Sequence, residues 1–176
     1  MINNILFATD LGPFTDYTLQ HVTELAKNCN ASIVVVHAVE PLSSFAQAVV
    51  ETYLEDPQDN PFGESGSSGM LTNIKHKILE ALADQYMESD KDIARIAAIR
   101  VLQGKPAEII LRESREQQAD LIVMGSHGAQ ALDGNVIGSV TSKVLQLSKV
   151  PVYMVPMMDP QKLHGRTGNL GGATLR

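Results

Sequence analysis

The sequence predicts an α/β protein: a doubly wound, five-stranded parallel sheet in the order 3-2-1-4-5, with helices on both faces. Three observations predict it. Short apolar runs alternate with segments of helical period, giving β-α-β-α-β-α-β-α-β along the chain. The runs Ile33-Val34-Val35-Val36 and Leu121-Ile122-Val123-Met124 are continuously apolar, as strands covered on both faces must be. Glycine and proline punctuate the strand ends, and right-handed crossovers then leave few ways to wind the sheet.

Each element has its own warrant. Ile5-Leu6-Phe7-Ala8 is a buried strand, expected to end at Asp10 where Leu11-Gly12-Pro13 break the run. Leu19, Val22, Leu25, Ala26 and Cys29 recur at helical spacing, with Thr15 or Asp16 as the N-cap. Residues 31–39 form the second strand. Leu71, Ile74, Ile78, Leu82 and Ala83 mark a further helix running to about Glu88, and residues 96–102 the third strand. Gly104 and Pro106 make a turn with proline at a helix start, followed by Ile109, Ile110 and Ser114 on one helix face. After the fourth strand, residues 137–148 are expected to form a helix with Val140, Val144, Leu145 and Leu147 inward. Pro151-Val152-Tyr153-Met154-Val155-Pro156 is a fifth strand bracketed by prolines.

A chain of 176 residues fits one domain, placed at residues 1–156. Within it, residues 41–69 carry Glu51, Glu55, Asp56, Asp59 and Glu64 but no lysine or arginine, and end in Gly63-Glu64-Ser65-Gly66-Ser67-Ser68-Gly69. They are expected to form an acidic, flexible, solvated insertion, a functional lid being the alternative. Residues 157–176 show no period and are expected to be a disordered tail. The net charge of −6 argues against nucleic acid or anionic membrane as partners. The single cysteine, Cys29, excludes an internal disulfide and is expected to be a small buried hydrophobe. No apolar run is long enough for membrane insertion, and the N-terminus lacks a signal-peptide pattern, so a cytoplasmic location is expected.

The main chemical signal is Met124-Gly125-Ser126-His127-Gly128, then nine residues, then Gly138-Ser139-Val140-Thr141. It leaves the carboxyl end of a buried strand, where doubly wound folds bind ligands, and it opens a helix. A helix start presents unpaired N–H groups and the positive end of the macrodipole, and phosphate oxygens satisfy both. Glycine lets backbone approach phosphate closely, while Ser139 and Thr141 offer hydroxyl donors. The loop contains no lysine or arginine, so Mg²⁺ is expected to help meet the phosphate charge. The P-loop motif and the dinucleotide G-x-G-x-x-G motif are both absent. Asp10 is the second signal. In the order 3-2-1-4-5 it shares the sheet edge of Gly125 at the switch point, where its carboxylate can accept from ribose hydroxyls or approach a metal.

Gly125, Gly128, Gly138 and Ser139 match the Gly-x2-Gly-x9-Gly-Ser/Thr hallmark of the universal stress protein family at every spacing. The opening Ile5-Leu6-Phe7-Ala8-Thr9-Asp10 and the stretch 119–128 resemble that family too, and the likeness extends over residues 1–156. The resemblance implies a dimeric, stress-associated protein of the ATP-binding branch. Adenine would lie near Ala8 and the Ala38 backbone, ribose near Asp10 and Gly125, and phosphates along Gly128 to Thr141. The implied nucleotide-binding set is Ala8, Thr9, Asp10, Ala38, Met124, Gly125, Gly128, Gly138, Ser139, Val140 and Thr141. The insertion 41–69 and the tail depart from the shorter members.

Other residues tempt without the partners that chemistry needs. His127 lacks an evident orienting group, so no catalytic residue is assigned. His37 reads as a satisfied strand histidine, and no metal-ligand spacing occurs. Strand five should form an open edge, which stable proteins cover or pair, and the resemblance implies pairing with a second copy. The expected function is thus an ATP-binding regulatory module with little or no turnover, acting on a protein partner the sequence does not identify. The alternative is a slow ATPase or phosphate-transferring enzyme, in which Asp10 or His127 would orient water.

Overall fold

The continuous apolar runs become the centre of one parallel sheet in a computed structural model that describes residues 1–41, 75–76, 94–128 and 137–156. Its strands are β1 (Asn4–Ala8), β2 (Ser32–Val39), β3 (Ile96–Gln103), β4 (Leu121–Gly125) and β5 (Val152–Val155), ordered β3-β2-β1-β4-β5. Every pairing is parallel. The helices are α1 (Thr15–Cys29), α2 (Pro106–Glu116) and α3 (Ser139–Leu147). The expected helix around Ile74 and Ile78 lies outside the described residues except at Lys75 and His76, which are helical. The acidic insertion beyond Pro41 and the tail after Pro156 lie outside them as well.

Strand alternation divides the core in two. Ile5, Phe7, Ile33, Val35, Leu121 and Val123 face α1, where Leu19, Val22 and Ala26 are buried against them. Leu6, Ala8, Val34, Val36, Ile122 and Met124 face the other way, towards Ala107, Ile109 and Ile110 of α2 and Val144 of α3. Cys29 is half-buried against the first cluster, as a small hydrophobe would be. On the second face Glu113 is fully buried. Its carboxylate accepts from Arg100 Nε at 3.1 Å and from Gln117 Nε2 at 3.3 Å, which ties α2 to the outer strand β3.

The register of the central strand is pinned at its amino end. Asp120 Oδ2 accepts the N–H groups of Asn3 and Asn4 at 2.8 and 3.0 Å, and Ser32 Oγ donates to Asn4 Oδ1 at 2.8 Å. Those two backbone bonds hold the Asp120 carboxyl below its ordinary 3.8. At the other end Ala8 is flanked by Val36 and Met124, so the strands on either side of β1 finish level with it.

Several boundaries differ from expectation for local reasons. β1 stops at Ala8 rather than Asp10, because Thr9 Oγ1 takes the N–H of Leu11 and Asp10 Oδ1 takes that of Gly12, turning the chain. α1 has Phe14 at its N-cap with no side-chain cap; Thr15 instead places its hydroxyl 3.1 Å from that of Thr9. α3 begins two residues later than expected. Its Leu145 and Leu147 are 41% and 55% exposed rather than inward. Leu145 lies a 100° step off the Val140/Val144 seam, and Leu147 ends the helix. Gly104, at φ +148, makes the turn from β3 into α2 in a conformation that needs glycine.

Candidate functional site

The carboxyl ends of β1, β2 and β4 and the starts of α1, α2 and α3 surround a cavity of about 540 Å³. Its first wall is the turn after β1. Thr9 still donates its N–H to Val36 O at 3.0 Å, so the chain leaves the sheet only at Asp10. His37 stands behind this turn with Nδ1 2.9 Å from Thr9 O. A carbonyl can only accept, so the ring proton is on Nδ1. This is the satisfied strand histidine that the sequence suggests.

The second wall is built by glycine. Ser126 donates its N–H to Val155 O and accepts that of Gly138, both at 2.8 Å, which closes the loop between β4 and α3 at its two ends. A Cβ on Gly138 would stand 3.3 Å from His127 Cα and 3.4 Å from Ser126 O, so any larger residue there presses on the loop backbone. Across the cavity, a Cβ on Gly128 would stand 3.1 Å from Asp10 Oδ2. The aspartate and the glycine loop therefore meet, as the strand order implies. Residues 129–136 of this loop lie outside the described residues.

α3 then starts without a side-chain cap. Its first backbone bond runs from Ser142 N–H to Gly138 O at 2.8 Å. The N–H groups of Ser139, Val140 and Thr141 precede that bond and have no partner among the described residues. They form a ready anion seat at the positive end of the helix. Thr141 departs from expectation. Its hydroxyl donates to Gly125 O at 2.9 Å and is buried, so it locks α3 to β4 rather than offering a donor to a ligand. Ser139, exposed at the first helical position, keeps that role.

All eleven residues singled out from the sequence line this cavity: Ala8, Thr9, Asp10, Ala38, Met124, Gly125, Gly128, Gly138, Ser139, Val140 and Thr141. Phe7, Thr15, Thr18, Val36, Glu40, Pro106, Ile110 and His127 join them. A signal for most of these was present. Thr18 and Ile110 sit one turn beyond Thr15 and Pro106, at the starts of helices that begin on this edge, and Glu40 directly follows β2 there. The lining combines an apolar slot between the sheet and α2 with a polar end at α3, the usual make-up of a small-molecule site.

The match to known proteins is as extensive as the geometry suggests. The model of the universal stress protein family matches residues 1–156. The chain belongs to the universal stress protein family. Universal stress protein YxiE of Bacillus subtilis is 32% identical over 160 residues, covering 88% of this chain and 99% of that one. Among solved structures, the protein MJ0577 superposes with a TM-score of 0.60 at 24% identity, over 90% of this chain and 99% of the other. A universal stress protein solved in complex with cAMP superposes at 0.54 with 19% identity, over 88% and 96%. Both share the family's α/β fold.

Proposed function

We propose that this universal stress protein binds ATP, accompanied by Mg²⁺, in the cavity at the carboxyl edge of its sheet, and acts as a stress-response regulator with little or no turnover. One observation carries the proposal. The three amides opening α3, unpartnered among the described residues, face the same cavity as Asp10, with Gly128 between them, so a phosphate chain and a ribose have complementary partners at the two ends. The base is assigned to the apolar slot beside Ala8 and Ala38, lined by Val36, Pro106 and Ile110. The relative solved with cAMP supports an adenine nucleotide as the ligand. Low turnover is supported by the lining, which among the described residues holds no lysine or arginine to stabilise a transferring phosphoryl group.

The test is single-turnover incubation of nucleotide-free protein in excess over ATP. ATP is expected to be bound and recovered unaltered after hours. Recovery of ADP on that timescale would instead favour a slow ATPase or phosphate-transferring enzyme, and ATP left unbound would contradict the proposal outright.

A further inference from the structure

We infer, resting on the nucleotide reading above, that Glu40 reads the base: its carboxylate accepts a hydrogen bond from the exocyclic amine of adenine, which makes it a specificity-determining residue of this site. The direction of the side chain follows from β2. Val34, Val36 and Ala38 lie on the α2 face of the sheet, and Ile33 and Val35 on the α1 face. The cavity is lined by Val36, Ala38 and Glu40 but not by His37 or Val39, so the alternation of the strand runs one residue past its end. Two features keep the chain extended there. Val39 O still accepts the N–H of Gly104 at 2.9 Å. Pro41 follows, and a residue before proline is held in the extended region. Glu40 therefore stands on the same face as Ala38, at the end of the apolar slot.

The strand order decides which edge of the base Glu40 meets. The α3 amides lie on the β4 side of β1, Asp10 follows β1 itself, and Glu40 follows β2 on the other side. A nucleotide with its phosphates at the first and its ribose at the second extends its base over β2. The purine edge farthest from the ribose is the one on which adenine carries its amine, a donor. The slot walls Ala8, Val36, Ala38, Pro106 and Ile110 have no side-chain acceptor to offer it. The threonines towards α1 are engaged: Thr9 with Leu11 N–H and the Thr15 hydroxyl, and Thr18 with Phe14 O at 3.1 Å. Glu40, by contrast, forms no hydrogen bond or ion pair with the described residues. A carboxylate can only accept, so an amine is the group that suits it. Glu40 is exposed, and water satisfies it when no amine is present. The discrimination is therefore about tenfold, far below that of a sealed polar pocket.

The experiment is titration calorimetry with ATP and with purine riboside triphosphate, which differs from ATP only in lacking the amine. The proteins are wild type, Glu40→Gln, which keeps an uncharged acceptor, and Glu40→Ala, which keeps none. Circular dichroism melts establish that each variant is folded. Wild type is expected to bind ATP roughly tenfold more tightly than the analogue. In Glu40→Gln the ratio is expected to fall to about threefold, and in Glu40→Ala to within about twofold of unity. The analogue itself is expected to bind Glu40→Ala at least as tightly as wild type, because a negative charge has left the mouth of a polyanion site. A purely structural role for Glu40 would weaken both ligands together and leave the ratio unchanged. Wild type that binds the two triphosphates equally, or Glu40→Ala that keeps the wild-type ratio, would overturn the role of Glu40 while leaving nucleotide binding intact. Wild type that binds neither would overturn the nucleotide reading itself, and this assignment with it.

Discussion

Gly138 and Gly128 are crowded by different neighbours. At Gly138 an added Cβ would press on backbone, the His127 Cα at 3.3 Å and Ser126 O at 3.4 Å, rather than on a side chain that can swing aside. Gly138→Ala is accordingly expected to destabilise the fold by about 1–3 kcal/mol in urea denaturation. A loss under about 0.5 kcal/mol would mean that the loop relaxes freely. At Gly128 the neighbour is the Asp10 carboxylate, a side chain, so substitution there should act on the ligand more than on the fold. The hydroxyl of Thr141 carries the opposite lesson. Its type suggests a ligand donor, yet its bond to Gly125 O makes it a strut between α3 and β4.

At the scale of elements, β1 is held between β2 and β4 at both ends, by Asp120 at one and by the site at the other. The Asp120 carboxyl titrates below 3.8 because it accepts two backbone N–H groups. A lowered folded value means that the stabilisation is present in full above the unfolded value and disappears as pH falls through the folded one. Asp120→Asn should therefore be less stable than wild type at about pH 7, with the difference shrinking below about pH 3.8. Melts over that range would check it, and a constant difference would contradict it. Among the described residues β5 is the last strand of the sheet, paired on one side with β4. Tyr153 on it is 38% exposed, next to His21 of α1, and Leu145 and Leu147 of α3 are also exposed. If two copies pair through residues 151–156, a lysine on that edge blocks them. Tyr153→Lys is expected to sediment as a monomer where wild type is a dimer, with ATP affinity within about twofold of wild type. A variant that stays dimeric would move the interface elsewhere.

For the molecule as a whole, the sheet was legible because its three central strands are apolar on both faces and its turns carry glycine and proline. The candidate site was legible because glycine spacing survives as loop geometry: a Cβ would meet the Asp10 carboxylate at Gly128 and loop backbone at Gly138. What escaped was set by tertiary context. Thr9 and Asp10 spend their side chains on turning the chain, which no apolar period reveals, and the outward leucines of α3 look the same in sequence as inward ones. Glu40 and Ile110 required the register of two further elements before they could be placed. The central claim is that a triphosphate is gripped by the α3 amides past Gly128 and against Asp10. Its most direct test is calorimetric titration of ATP into wild type and into Gly128→Val. Wild type is expected to bind one ATP per chain and the variant about tenfold more weakly or not at all, while melting at a similar temperature. Equal affinity in the two folded proteins would contradict the account.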